Sequence, residues 1–334
     1  MKRAVGIVAS LLITCATLAY ALWDVDLRVL WGLVLDGNSW LFVPFLAVLV
    51  VFFFLNALRW SLMLRPFGRF TAWDVGPSMM IGFAGNNVLP LRLGELIRTV
   101  IFAREFEQPK SGVLMTLVLE RALDVLGILL VYVIGLALVD SVPPAFRWSA
   151  IVAALGFLTL AALLILFLRY PHQIRHMWRV TTQSFSAGFQ DRGIIYIGQL
   201  EKGLQSLKSP ALASVLIAYS LIRWMLAVAL PWFCVLSYGP PIPAGLAMVV
   251  IGVAAFAVSL PSAPGFVGPI QAAFVLALTP FGVSQEVAVA ASVMFLLGHW
   301  VPVTAVGGLF FLTRHYSYSR IRSECETLES SGRL

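Results

Sequence analysis

The fold class that this sequence predicts is an all-α integral membrane protein, with about six full transmembrane helices and two re-entrant broken-helix hairpins arranged as an inverted repeat. Three observations predict it. The 334-residue chain is 60% hydrophobic and only 12% charged, with a mean hydropathy of +0.91, where a soluble domain carries about a quarter charged residues. Six apolar runs reach the ~20 residues that cross a bilayer as helix. Two more runs are interrupted by Pro, Gly and polar residues, one in each half, and such pairs point to a transport site between inverted repeats.

The clean runs fall at about 4–22, 40–62, 113–139, 148–168, 211–236 and 287–312. The first follows Lys2 and Arg3 and ends near Ala19-Tyr20-Ala21, which resembles a cleavage site, but its apolar core is longer than a signal peptide needs, so an uncleaved helix is expected. The broken runs fall at about 75–103 and 244–280, with Pro90 and Pro264 174 positions apart. Each arm of the first is ~13 residues, or ~20 Å of helix, enough to reach the middle of a ~30 Å core without crossing it. Backbone freed at such tips survives only inside protein or beside a wet cavity. The stretch 171–210 mixes Arg175, Arg179, Arg192, Lys202 and Lys208 with Trp178, Phe185, Phe189 and Tyr196, and reads as one or two amphipathic helices on the inner leaflet. Residues 1–315 form one polytopic domain, and 316–334 a polar cytoplasmic tail.

If the six clean runs cross and the broken runs return to the side they entered, eighteen of the 23 basic residues face the cytoplasm, Arg59, Arg65, Arg69 and Arg98 among them. Arg28 and Arg147 then lie outside, and Arg92, Arg121 and Arg223 within the membrane. The positive-inside rule favours that arrangement, with both termini cytoplasmic.

The first broken run carries Asn86-Asn87-Val88-Leu89-Pro90-Leu91-Arg92-Leu93-Gly94-Glu95-Leu96-Ile97-Arg98. On a helix starting after Pro90, Arg92, Glu95 and Arg98 share one broad face, while Gly94 permits close backbone approach. A proline-started helix aims free N–H groups at the hairpin tip. With the amides of Asn86 and Asn87, this forms a receptor or gate for an anion; ion pairs that only brace the hairpin are the bland alternative. Glu120, Arg121 and Asp124 lie one to two turns inside a span, and ionisable groups at that depth usually mark a substrate or ion path. Arg121 cannot balance two acids, so Arg92 or Arg98 is the natural partner; the cluster reads as a structural ion network or a coupling site. Arg223, mid-span with no acid in its own helix, must find an acid or a phosphate elsewhere. In the second broken run Pro261, Pro264, Gly265 and Gly268 specify irregular backbone, and Gln271 is the polar group just past the tip. His299 reads as a hydrogen-bonded core residue. His172 and His176 have no acid or Cys close in sequence, and no glycine-rich phosphate loop, HExxH, CxxC or GxSxG appears. No metal, cofactor or nucleic-acid partner is expected.

P-x-R-x-G-E-x-x-R at Pro90–Arg98, E-R-x-x-D at Glu120–Asp124 and P-x-x-P-G-x-x-G at Pro261–Gly268 together resemble the flippase-like membrane domain of the lysylphosphatidylglycerol synthase/flippase family over about 1–315. The resemblance implies movement of lipids or lipid-linked groups between leaflets of a bacterial cytoplasmic (inner) membrane. It also implies roles for Pro90, Arg92, Gly94, Glu95, Arg98, Glu120, Arg121 and Asp124. Two features depart from the family: Gln271 stands near the place of a frequent acid, and the soluble aminoacyl-transfer domain of the fused members has no counterpart here. The expectation is a translocase for a lipid with an anionic or phosphate-containing head group, not a chemical catalyst. The rivals are a membrane-embedded enzyme of lipid or polyprenyl-sugar metabolism and a non-catalytic partner of a lipid synthase or glycosyltransferase. A homodimer is compatible with either.

Overall fold

Backbone N–H and C=O groups find no partners in hydrocarbon, so long apolar runs close their hydrogen bonds within helices. The computed structural model describes residues 2–89, 93–258, 264–314, 316 and 323–324, and among these the regular structure is helical, without strands. Pro90, Arg92, Pro261 and most of the polar tail lie outside the described residues.

Helix α1 (Lys2–Leu22) is followed by α2 (Leu27–Asp36), whose start is capped by Asp26, its carboxylate accepting from the Arg28 N–H at 2.8 Å. The two meet at 86°. The sequence reading has only an outer loop here. Leu27, Trp31 and Leu35 form an exposed apolar stripe at i, i+4, i+8, a pattern suited to lying along a membrane surface. Then come α3 (Phe42–Met63), α4 (Ala72–Val88), α5 (Gly94–Glu105), α6 (Lys110–Ala137) and α7 (Pro144–Arg169). Two surface helices follow, α8 (Pro171–Thr181) and α9 (Ala187–Gly203), with a 3-10 turn at Leu204–Lys208. Trp178 locks them together: it packs on Phe189 at 5.5 Å and donates to the Gln190 carbonyl at 3.2 Å. The chain continues through α10 (Pro210–Ala227), α11 (Ala229–Tyr238), α12 (Ala244–Val258), a 3-10 turn at Pro264–Phe266, α13 (Pro269–Leu278) and α14 (Gln285–Thr313).

Among the described residues, five stretches are long and apolar enough to cross a membrane: Ser39–Met63, Phe146–Arg169, Pro210–Tyr238, Pro264–Phe281 and Gln285–Thr313, with a sixth if the bent α1–α2 pair is counted. One expected span and one arm of an expected broken run change character. α6 is long enough, at 28 residues, but Glu120, Arg121 and Asp124 remove it from the purely apolar set. Pro264–Phe281, read as one arm of a broken segment, gains length from the 3-10 turns at both ends of α13.

α4 packs along both α5 and α14, and α12 along both α6 and α13. Gly94 makes the α4–α5 approach possible, because a Cβ there would overlap the carbonyl oxygen of Gly82 and the Asn86 side chain. The turn before α13 uses Gly265 and Gly268 at φ +84° and +93°, a region that only glycine enters freely. One sequence-based placement is overturned. Arg59 and Arg98, counted with the cytoplasmic cations, are 0% and 3% exposed inside the helix bundle.

Candidate functional site

Glu120 and Asp124 lie one turn apart on the buried face of α6. Burying a carboxylate costs several kcal/mol unless cations and hydrogen bonds surround it, and the neighbouring helices supply them. From α5, Arg98 grips Glu120 with both terminal nitrogens, at 3.2 and 3.0 Å, while its guanidinium lies 3.6 Å from the Trp60 ring. From α3, Arg59 donates to Asp124 at 2.7 Å and to Ser220 at 2.9 Å, and is held from behind by Asn56 at 3.1 Å. From α10, Arg223 pairs with the same Asp124 oxygen. Arg121 reaches Glu95 of α5 at 3.0 Å and Asp124 at 3.9 Å, with its side chain 45% exposed. Four guanidiniums thus surround three carboxylates, leaving one unit of positive charge in excess among the described residues.

The network opens onto a cavity of about 270 Å³. Its polar lining is Asn56, Asn87, Glu120, Arg121, Asp124 and Arg223; Phe, Ile, Leu, Val and Ala from α3, α4, α6, α10, α11, α12, α13 and α14 make up most of the remainder, with Trp224, His299 and Trp300. Among the described residues, Nε of Arg59, Arg98 and Arg223 and Nε1 of Trp224 are buried here without a hydrogen-bond partner, and of these Arg223 and Trp224 line the cavity. Trp300 joins the two interrupted regions. Its Nε1 donates to the Asn87 carbonyl at 3.3 Å, and its ring lies against Gly265 of the second turn.

The predicted site residues divide by role. Glu95, Arg98, Glu120, Arg121, Asp124 and Arg223 come together as one network, and Arg98 of α5 is the cation that balances Glu120. Asn87 lines the cavity and is tied to Thr304 of α14 at 2.9 Å. Asn86 does not reach the cavity lining; it accepts from the Gly94 N–H at 2.9 Å and braces the α4–α5 turn. Gln271 likewise turns inward, its Oε1 accepting from the Gly268 N–H at 2.7 Å to cap α13. Of the second turn, Gly265 lines the cavity; Pro264 starts the 3-10 turn and Gly268 packs against Thr14 and Thr17 of α1. His299 packs on Phe53 at 5.6 Å and lines the cavity.

Sequence reasoning missed Arg59, Asn56 and Ser220. The signal was there: Asn56 and Arg59 stand three apart in an otherwise apolar run, hence on one helix face. The position near the run's end disguised Arg59 as a cytoplasmic flanking cation. Among the described residues no group of three or more His, Cys, Asp or Glu is arranged to hold a metal ion.

A family model described as the lysylphosphatidylglycerol synthase TM region matches residues 7–307. Nothing among curated proteins and nothing among solved structures matches the chain. The matched range takes in the interrupted regions, the α6 acids and Arg223 together. The chain belongs to the family of lysylphosphatidylglycerol synthase transmembrane regions.

Proposed function

We propose that this protein moves a lipid, or a lipid-linked intermediate, with an anionic or phosphate-containing head group between the leaflets of a bacterial inner membrane, without altering it chemically. One observation carries the reading: a cavity among membrane helices has apolar walls, a charged region where Arg121 and Arg223 meet Glu120 and Asp124, and buried N–H donors left over on Arg223 and Trp224. The barrier to flipping is the desolvation of the head group. Charge-assisted hydrogen bonds from Arg223 and Arg121, with the Trp224 N–H, replace the water lost by a phosphate, while the acyl chains stay against the phenylalanine and aliphatic walls.

Arg121 is the natural moving part. It is the most exposed of the four network arginines, and it divides its charge between Glu95 on α5 and Asp124 on α6. Arrival of a phosphate lets Arg121 release one acid, so α5 shifts against α6 as the head group passes. In the same reading, α4–α5 and α12–α13 are opposed re-entrant hairpins. α4 and α5 are 17 and 12 residues long, or about 25 and 18 Å at 1.5 Å per residue, short of a ~30 Å core. Trp300, touching both Asn87 and Gly265, keeps the two tips together. Both termini face the cytoplasm, where a lipid synthase or glycosyltransferase can deliver substrate, and a homodimer is the natural assembly to test.

The test is reconstitution. Proteoliposomes loaded with a fluorescent anionic phospholipid in one leaflet are followed by dithionite quenching, with a zwitterionic lipid as comparison. Head-group movement above empty liposomes, reduced by Arg223→Ala, is the expected result, and the lipid recovered afterwards is unchanged in mass. No movement above empty liposomes, with and without a proton gradient, would sink the proposal.

A further inference from the structure

Away from the central cavity, α8, α9 and the turn Leu204–Lys208 border, beside the start of α6, a second, partly open cavity of about 490 Å³. Arg175, Lys202 and Lys208 line it, with Glu201 as the single carboxylate in the lining, so it carries two positive charges in excess. Glu201 pairs with Arg175 and, at 2.9 Å, with Lys208, while Lys202 has no ion pair among the described residues. The Nε–H of Arg175 is buried without a partner, as is the carbonyl oxygen of Gln199 in the same wall. The first turn of the 28-residue α6 also opens here: Ser111 and Gly112 line the cavity, and no side chain caps that helix. The first-turn N–H groups and positive dipole end of α6 therefore lie beside these cations.

We propose that this cavity is a second anion site, which binds a phosphate group between Lys202, Lys208, Arg175 and the start of α6. Three cations from separate segments, a spare guanidinium N–H and free helix N–H groups match the tetrahedral oxygens of a phosphate. The unpartnered Gln199 oxygen matches a P–OH or a neighbouring hydroxyl of the ligand. The source is either a phospholipid head group from the adjoining leaflet or a soluble phosphate compound, and the chemistry recognised is the same. The site stands whether or not the central cavity moves a lipid.

The purified full chain in neutral detergent is titrated with inorganic phosphate by calorimetry, and in parallel with anionic and zwitterionic phospholipids by native mass spectrometry. Gly198 lines the cavity and has no atom within 4 Å of where a Cβ would stand, so Gly198→Glu places a competing carboxylate in the space without disturbing packing. Binding is expected to fall at least tenfold in Gly198→Glu and in Lys202→Ala, and to rise in Glu201→Gln, which frees Arg175 and Lys208. A gain of affinity does not arise from misfolding. Arg179→Ala, an exposed cation on α8 outside the cavity, leaves binding unchanged. This pattern with inorganic phosphate identifies a soluble source; the same pattern with anionic phospholipid alone identifies a lipid source. Binding of neither ligand, binding indifferent to Gly198→Glu and Lys202→Ala, or an equal loss in Arg179→Ala overturns the proposal.

Discussion

Arg59 Nη1 lies 2.7 Å from Asp124 Oδ1 across 65 positions of sequence, and this pair ties α3 to the acid-bearing face of α6. Since Arg223 reaches the same oxygen, removing Arg59 leaves two buried acids with fewer cations. Breaking a buried pair by removing one partner costs about 3–5 kcal/mol. Arg59→Met is therefore expected to lower thermal stability in detergent by that order, and Arg59→Met/Asp124→Leu to recover part of it. Equal melting of Arg59→Met and wild type would show that the pair contributes nothing.

The bidentate Arg98–Glu120 contact predicts strong coupling. In a double-mutant cycle, Arg98→Gln and Glu120→Gln should each destabilise, and together cost less than their sum by roughly 0.5–3 kcal/mol. Chemical denaturation of the four proteins measures it. Strict additivity would mean that each residue is held by other partners.

A change at Trp224 separates binding from folding, which a change at Arg223 does not, because Arg223 also holds the buried Asp124. Trp224→Phe keeps an aromatic ring and removes only the unpartnered N–H. A hydrogen bond to a charged group is worth about 1.5–3 kcal/mol, so lipid movement should slow roughly 10- to 100-fold while the melting temperature stays close to wild type. Full-speed transport by Trp224→Phe would remove that donor from the pathway.

Gly94→Ala tests the α4–α5 approach. Its Cβ would collide with the Gly82 carbonyl, and forced overpacking costs about 1–3 kcal/mol. Gly308→Ala, with open space around the added carbon, is the matched control and should change stability by no more than about 0.5 kcal/mol. The outcome that counts against the geometry is equal behaviour of the two.

Glu201 makes the α8–α9 region sensitive to acid. Its carboxyl is held below the ordinary carboxylate value chiefly by the hydrogen bond from Lys208, with Arg175 and His172 adding to it against the opposing effect of burial. A depressed value means that the folded form favours the ionised acid. The stabilisation is complete above the unfolded value of about 4.3 and is lost as pH falls through the lower folded value. Hydrogen exchange over 171–208 should quicken in that window, and in Glu201→Gln the acid-induced step should vanish.

Much of the molecule was legible in its residues. Composition identified a helical membrane protein, because 60% hydrophobic residues leave too little polar surface for a soluble one. Spacing put Glu120 and Asp124 on one face, the imbalance of charge called for Arg92 or Arg98 from the first interrupted run, and the lone Arg223 called for an acid or a phosphate elsewhere; Arg98 pairs with Glu120 and Arg223 with Asp124. The amphipathic pattern of 171–210 resolved into α8 and α9. The short α2 escaped notice because ten residues carry too few turns for a periodic signal beside a strong span.

By itself, then, the sequence determined that charge is buried in this membrane protein and which residue types must neutralise it, since an ion in hydrocarbon always demands a partner. Only the tertiary structure decided which partners meet. Arg59 looked like a flanking cation until α3 was packed against α6 and α10, and Asn86 looked like a ligand until the α4–α5 turn claimed it as a brace. Partner choice depends on distances between segments far apart in the chain, and these are set by helix packing, which one-dimensional spacing does not encode.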